Sequence, residues 1–181
     1  MTNSRAWTGR GSVPTAASPR PRWRGKKSGP NPTDRAKQGT KRSLLVEAAG
    51  VPGALVVAGA NRNDHKLLGP TLARLPTCRP LPSQQRPQGL CLDKGYDYPQ
   101  TRVLAAEYGL TLHLRTRGEE VQALATEPGY RPRRWVVERT HSWLNRFRRL
   151  LVRWEKQAAN YEALLHLACA CITWQQAGLF G

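Results

Sequence analysis

Two acidic residues, Asp93 and Glu138, stand out by their positions in the sequence. Asp93 ends a short apolar run and is followed by Gly95, so its carboxylate is expected to project into the crevice above the C-terminal end of a strand. Glu138 lies in a segment where nearly every other charge is positive. Carboxylates from separate elements are hard oxygen ligands for Mg²⁺ or Mn²⁺, and two such ions can activate an attacking oxygen and stabilise a leaving one. The two residues are therefore candidates for a divalent-metal site that acts on phosphodiesters.

Both residues also have a simpler interpretation. On a helix, Glu138 would face Arg134 one turn earlier, at the spacing of a surface ion pair. Asp93 would do no more than cap the turn that follows its strand. Spacing alone favours this simpler interpretation, so the metal site needs support from elsewhere in the sequence.

The charge of the chain points to a polyanionic partner. Its 181 residues carry 29 Lys and Arg against 12 Asp and Glu, a net charge of +17. Residues 1–42 contribute +10 and residues 131–156 contribute +7, whereas the remaining charges cancel. The sequence shows no apolar run of roughly 18 residues, and its first residues are not expected to form a secretory leader, so this clustering favours nucleic acid. We expect a cytoplasmic protein whose four cysteines are reduced and mostly buried.

The hydrophobic pattern predicts a mixed α/β fold to position these residues. Strands are predicted at residues 43–47, 54–58, 90–93 and 110–114. Helices are predicted at residues 65–75, 99–108, 133–151 and 160–176, the last of them largely buried, with a polar loop over 115–133. The helix over 133–151 would carry one apolar face, formed by Val136, Thr140, Trp143, Leu144, Phe147, Leu150 and Leu151. Trp135 lies off this face, where it could stack on DNA bases.

Two regions differ in composition. Residues 1–27 are rich in small and polar residues and are predicted to form a disordered basic tail. Residues 28–181 carry the predicted strands and helices, so they are expected to form one domain.

Six short motifs follow one another in an order typical of one enzyme family. They are Gly29-Pro-Asn-Pro-Thr-Asp-Arg35, Gly39-Thr-Lys-Arg-Ser-Leu-Leu-Val46, Gly59-Ala-Asn-Arg-Asn-Asp64, Leu92-Asp-Lys-Gly-Tyr-Asp97, Arg134-Trp-Val-Val-Glu-Arg139 and Trp143-Leu-Asn-Arg-Phe-Arg-Arg149. With these motifs the chain resembles, from about Arg24 to Trp174, the C-terminal part of insertion-sequence transposases of the IS4/IS5 type, members of the DDE superfamily. The resemblance implies an RNase H-like mixed sheet flanked by helices.

The resemblance also implies which residues do the chemistry. Asp93 matches the second aspartate of the family's Asp-Asp-Glu triad and Glu138 matches its glutamate. Both are thereby implied to be catalytic metal ligands, with Mg²⁺ or Mn²⁺ in a two-metal site of the full enzyme. Arg134 fits the arginine of the signature around the glutamate, whereas Asn145 stands where that signature has its last basic residue.

The first aspartate of the triad is absent. In the family it lies on the first strand, upstream of Gly29, but residues 10–27 of this chain contain no Asp or Glu. Neither Asp34 nor Asp64 matches the missing position. The resemblance therefore implies a catalytic domain truncated at its N-terminus, either the downstream half of an enzyme made from two overlapping frames or a decayed remnant.

The implied function is DNA transposition, by metal-dependent cleavage at transposon ends and strand transfer into target DNA. The residues implied to bind DNA are Arg134, Arg139, Asn145, Arg146, Arg148, Arg149 and Arg153. We expect a homo-oligomer or assembly with an upstream transposase half, no membrane association, and a place at the bacterial nucleoid. With two of three ligands the chain is expected to have little activity alone. The alternatives are a catalytically inactive DNA-binding remnant or regulator of intact transposase and, more distantly, an RNA-binding protein.

Overall fold

A mixed β-sheet forms the middle layer of the protein. The computed structural model describes residues 7–10, 20–21, 25–32, 35–76, 80–114, 117–128 and 134–178. The strands are β1 (Trp7–Arg10), β2 (Arg20–Pro21), β3 (Gly29–Pro30), β4 (Gln38–Glu47), β5 (Pro52–Gly59), β6 (Gln88–Leu92), β7 (Leu110–Leu114) and β8 (Val152–Arg153). The main sheet has the order β5-β4-β1-β6-β7, with β3 beside the beginning of β4 and the short pair β2-β8 apart from it. Strand β4 is antiparallel to β1 and β5, whereas β6 is parallel to β1 and β7.

Helices cover both faces of this sheet. They are α1 (His65–Leu72), α2 (Pro99–Glu107), α3 (Arg117–Thr126), α4 (Arg134–Asn145), α5 (Arg148–Leu151) and α6 (Ala158–Gln176). Helices α1 and α2 pack on the face that carries Leu45 and Leu90, and α4, α5 and α6 pack on the face that carries Leu44 and Val46. Because side chains alternate along a strand, a segment buried on both faces reads as a continuous apolar run, as Leu44, Leu45 and Val46 of β4 do. None of the described helices is long and apolar enough to cross a membrane.

The prediction of a mixed α/β fold is confirmed. Strand β7 has the predicted bounds, and β4 and β5 form the predicted hairpin with longer strands than the pattern indicated. Helix α2 ends at Glu107, just before Gly109, whose φ of 64° suits a glycine that terminates a helix. The apolar runs, the turn residues and the helix-ending glycine of these elements agree with the fold, which explains why the sequence alone located them.

The prediction of disorder over residues 1–27 does not hold for Trp7–Arg10. These residues form β1 in the centre of the sheet, where Trp7 pairs with Glu47 of β4 and with Leu90 of β6. Composition predicted disorder because the segment has few large apolar residues, but a strand paired on both edges gains ladder hydrogen bonds that composition does not reveal. Most other residues of this segment lie outside the described ranges, and the domain boundary at residue 27 stays a prediction.

The helical predictions also need correction. The loop predicted over 115–133 contains α3, and the helix predicted over 133–151 is divided into α4 and α5. Phe147 has φ −78° and ψ 97°, a conformation that ends the helical path although its side chain continues the apolar period. Beyond this break Leu151 exposes 42% of its surface. Helix α6 is not largely buried, because Leu167 and Trp174 expose 63% and 50%.

Candidate carboxylate site and nucleic-acid interface

Asp93 lies where strand β6 ends and the chain turns away from the sheet. Its backbone is extended, and its Oδ1 accepts a 2.7 Å hydrogen bond from the backbone N–H of Lys94, the first residue of a short 3-10 helix over Lys94–Tyr96. Tyr96 is buried in the core and anchors this turn. Asp93 therefore caps this turn, as the simpler interpretation predicts, and its role as a metal ligand stays a prediction. The same position leaves its half-buried carboxylate at the sheet edge that the metal-ligand hypothesis requires.

A small ion-pair network follows Asp93. The carboxylate of Asp97 pairs with Lys94 Nζ at 2.7 Å and with an Arg102 guanidinium nitrogen at 2.6 Å. Hydrogen bonds from Lys94 and then Arg102 hold the pKa of the Asp97 carboxyl below its usual range, and the same pair raises the pKa of Lys94. Because water reaches these groups, the network adds little stability. It keeps Asp97 ionised close to Asp93 in the chain.

Glu138 lies on the exposed side of α4, the helix that packs over strands β1 and β4. Val136 and Val137 are buried in the core and fix this orientation. Thr140 Oγ1 donates a 2.7 Å hydrogen bond to the carbonyl oxygen of Gly50, in the turn between β4 and β5. That turn lies at the edge of the sheet opposite to Asp93, because β4 runs antiparallel to β1 and β6 runs parallel to it. The approach of Glu138 to Asp93 thus depends on how α4 crosses β1, and their convergence stays a prediction.

Arg139 lies between two tryptophans of its own helix. Its guanidinium carbon is 4.7 Å from the ring centroid of Trp135 and 4.9 Å from that of Trp143. One guanidinium nitrogen donates a 2.6 Å hydrogen bond to the carbonyl oxygen of Ala49. Arg139, one of the predicted DNA-binding residues, therefore also joins α4 to the turn between β4 and β5. Trp135 exposes 49% of its surface, so its ring is accessible to a stacking partner, the role proposed for it from the sequence.

The other predicted DNA-binding residues surround the corner between α4 and α5. Arg146, Arg148 and Arg149 are exposed there. Arg149 Nε pairs with Glu155 at 3.0 Å while its side chain stays 69% exposed. Asn145 is half-buried, and its Oδ1 accepts a hydrogen bond from a buried arginine at 3.4 Å. Arg134 is the first residue of α4.

Arg153 is not at the surface. It exposes 1% of its area. Its guanidinium donates hydrogen bonds to the carbonyl oxygens of Lys26 and Lys27 at 3.0 and 3.4 Å, and to Thr40 Oγ1 at 3.3 Å. A guanidinium so enclosed has no path to a phosphate, so the prediction that Arg153 binds DNA is not retained. The contacts show instead that Arg153 holds the segment around Lys26 against β4.

A second buried arginine, Arg42, was missed in the sequence. It exposes 5% of its area, and its Nε donates a 2.8 Å hydrogen bond to the hydroxyl of Tyr161, while another nitrogen binds the carbonyl oxygen of Leu150. Arg42 and Arg153 lie over the ring of Tyr161, at 5.8 and 5.6 Å from its centroid. Burial raises the pKa of the Tyr161 hydroxyl, and Arg42 opposes this rise. In the sequence Arg42 directly follows Lys41 before an apolar run, so no local pattern distinguished it from a cation at the surface.

Two carboxylates of the chain suit a divalent metal by their chemistry. Asp93 and Glu138 offer the oxygen ligands that Mg²⁺ and Mn²⁺ prefer. In the part of the chain that the structure describes, no three His, Cys, Asp or Glu residues come together as a metal-binding group. The residues present thus fit such an ion by their chemistry, with two candidate ligands identified.

Comparison with known proteins adds an independent observation. Residues 11–173 match the family described as the transposase DDE domain, a range that includes both Asp93 and Glu138. The chain is also similar to the transposase for insertion sequence element IS402 from Burkholderia cepacia. The two are 40% identical over 155 residues, which cover 84% of this chain and 71% of that protein.

Proposed function

Because the chain belongs to the DDE transposase family, whose activity is DNA transposition, we propose that Asp93 and Glu138 are ligands of the divalent metal that this family uses. The observation that carries the proposal is the position of Asp93, directly after the strand that lies beside β1. Helix α4, which carries Glu138, packs over the same central strand. When bound, the metal would activate the attacking oxygen and stabilise the leaving oxygen of a phosphodiester.

The strand order supports the finer fold assignment within this proposal. Strands β1, β4 and β5 form an antiparallel set, and β6 and β7 continue the sheet in parallel, with helices on both faces. This arrangement is the one expected of the RNase H-like sheet that the resemblance implies. Ligands of such sheets bind beyond the carboxyl ends of the parallel strands, and Asp93 directly follows the last residue of β6 there.

Strand β1 supports a second part of the proposal, the absence of the first carboxylate. Its register pairs Trp7 with Leu90 and Thr8 with Cys91. Two residues further along each strand, this register sets Arg10 level with Asp93. Where the family has an aspartate on its first strand, β1 of this chain contains no acid. This observation favours a second candidate function, a DNA-binding regulator that holds a metal weakly and does not cut DNA by itself.

A manganese titration of the purified chain tests the metal site. Asp93→Asn and Glu138→Gln are each expected to weaken Mn²⁺ binding at least about tenfold, because each removes an oxygen ligand. Glu107→Gln, at an exposed acid of α2, is the matched control and should leave binding unchanged. If both carboxylates hold one ion, the double variant should lose less Mn²⁺-binding free energy than the two single variants lose in sum. Unchanged affinity in both variants would rule out the assignment.

Cleavage assays separate the enzyme from the regulator. With Mg²⁺ and a labelled transposon-end duplex, the chain is expected to bind without nicking. Arg10→Asp is expected to strengthen Mn²⁺ binding, because it places an acid level with Asp93 on the adjacent strand. Robust metal-dependent cleavage by the unaltered chain would contradict the missing-ligand proposal and would direct attention to Asp34 or Asp64.

We further propose that the exposed arginines at the corner of α4 and α5 bind the DNA backbone. The slope of log affinity against log salt measures how many phosphates are neutralised. Changing Arg146, Arg148 and Arg149 together to Ala should make this slope less negative by about 2.7, if each contacts one phosphate. The exposed Arg74 and Arg86, changed to Ala as a pair, provide a control away from this corner. An unchanged slope in the triple variant would exclude the corner as a DNA contact.

A further inference from the structure

The loops before β4 and after β5 lie at the same edge of the sheet as Asp93. Because β4 is antiparallel to β1 and β6 is parallel to it, the beginning of β4, the end of β5 and the end of β6 share one edge. Strand β4 begins at Gln38, six residues before the Leu44 that pairs with Arg10, so its hairpin extends past β1. With strands about 4.8 Å apart, β5 lies roughly 15 Å from β6 along this edge.

Exposed basic side chains cluster on these two loops and on the first turn of α1, which follows the second loop. Five of them, here named the basic loop surface, are Lys26, Arg35, Lys37, Arg62 and Lys66. Two acids of the same region are already paired with other lysines: Asp64 with Lys41 at 2.8 Å, and Glu162 with Lys27. Asp34 lies outside the described residues. The described part of this surface therefore presents positive charge.

Side-chain contacts hold the described residues of the two loops in place. The guanidinium of Arg153 binds the carbonyl oxygens of Lys26 and Lys27 from inside the protein. On the second loop, Lys41 Nζ donates a 2.8 Å hydrogen bond to the carbonyl oxygen of Arg62. The amide of Asn61 occupies the space that a Cβ at Gly29 would need, so the two loops pack directly on each other. Backbone positions that are fixed before binding lower the ordering cost of the contact.

We propose that the basic loop surface binds the backbone of the DNA duplex whose phosphodiester is presented to Asp93. The inference rests on the proposed function and adds a contact separate from the arginines at the α4–α5 corner. A duplex carries one negative charge per about 1.7 Å of its axis, so a duplex along this edge brings several phosphates over the loops. Phosphate contacts fix the position of DNA and do not read its sequence. The surface therefore orients the duplex over the sheet edge.

Salt-dependent binding to a transposon-end duplex and to a random duplex of equal length tests the surface. Lys26→Ala with Arg62→Ala should make the salt slope less negative by about 1.8, and should weaken binding at ~0.1 M salt by roughly tenfold per contact. The loss should be equal for both duplexes, because backbone contacts are not sequence-specific. The pair Arg74→Ala with Arg86→Ala removes the same charge and should leave the slope unchanged. Lys37→Ala with Lys66→Ala is a second test pair at the same surface.

The outcomes separate this inference from the proposed function. The triple change at Arg146, Arg148 and Arg149 could make the salt slope less negative while both loop pairs give the same slope as the control pair. The loops would then not bind DNA, and the inference would be overturned. If a loop pair weakens binding only to the transposon end, the surface reads sequence and the inference is likewise wrong. If the unaltered chain shows no salt-dependent DNA binding, the proposed function and this inference fall together.

Discussion

Gly50 is the point where the turn between β4 and β5 meets the helix that carries Glu138. Its φ is 86°, a left-handed conformation that L side chains rarely adopt. A Cβ built at this position would lie 2.9 Å from a guanidinium nitrogen of Arg139 and 3.1 Å from the ring of Trp143. Both the backbone conformation and the available space therefore require glycine.

Replacing Gly50 should loosen the attachment of α4. Gly50→Ala is expected to lower the free energy of unfolding by about 2–4 kcal/mol, from left-handed strain and displacement of the Arg139 and Trp143 side chains. Urea unfolding measures this loss. Gly95→Ala is the control, because a Cβ there meets nothing within 4 Å. Equal effects of the two changes would show that the turn does not hold the helix.

Two cysteines of α6 differ in their surroundings. Burial raises the pKa of the Cys169 thiol to about 11, whereas Cys171 is exposed, which corrects the expectation of mostly buried thiols for this residue. The thiolate is the reactive form, and at pH 8 only about one Cys169 in a thousand is ionised.

An alkylating reagent at pH 8 should therefore modify Cys171 and spare Cys169 in the folded protein. Peptide mass spectrometry reads the two sites separately, and Cys171→Ser should remove the fast modification. Labelling of Cys169 should rise only as the pH approaches 11. Rapid labelling of Cys169 at pH 8 would mean that α6 does not pack as described.

Single residues show how far sequence reasoning extends. The place of Asp93 could be predicted, because an apolar run, an acid and a nearby glycine are all local signals. The burial of Arg153 could not be predicted. Its partners, Lys26 and Thr40, lie more than a hundred residues away in the chain, so no local pattern marks it.

At the scale of elements, one predicted helix is divided into α4 and α5. The division has a local cause that hydrophobic periodicity cannot show. Backbone bonds from Arg146 N–H to Trp143 and from Phe147 N–H to Leu144 close the last turn of α4 tightly. The apolar side chains then resume their period in α5, where Leu150 is buried. Periodicity reports which side chains face the core, and it stays unbroken where the backbone turns.

Arg42 of β4 links three elements. It donates hydrogen bonds to the hydroxyl of Tyr161 in α6 and to the carbonyl oxygen of Leu150 in α5. Tyr161→Phe would leave a buried guanidinium N–H without its acceptor, so we expect a loss of about 2 kcal/mol in the free energy of unfolding. Thermal or urea unfolding measures it. Tyr98→Phe, at a half-exposed tyrosine, should change stability little. If both changes cost the same, the Arg42 bond is not what holds α6 to the sheet.

For the whole molecule, β1 is the strand that joins the two halves of the sheet. It pairs with β4 on one side and β6 on the other, so its removal would expose two strand edges in the centre of the fold. Deleting residues 1–12 should therefore abolish cooperative unfolding and cause aggregation. Deleting residues 1–5 spares β1 and should preserve the transition. A cooperative transition in the longer deletion would show that β1 is dispensable.

The central place of β1 also has a consequence for synthesis on the ribosome. This strand emerges first, but β6, one of its two partners, follows about 80 residues later. At a translation rate of roughly 5–20 residues per second, β6 is synthesised about 4–16 seconds after β1. The β4–β5 hairpin needs only residues close in sequence, so it can form during this interval. The last contacts to form are then those of highest sequence separation, and such closure is slow. Until β6 is made, one edge of β1 in the nascent chain has no partner strand, and unpaired strand edges of this kind favour aggregation.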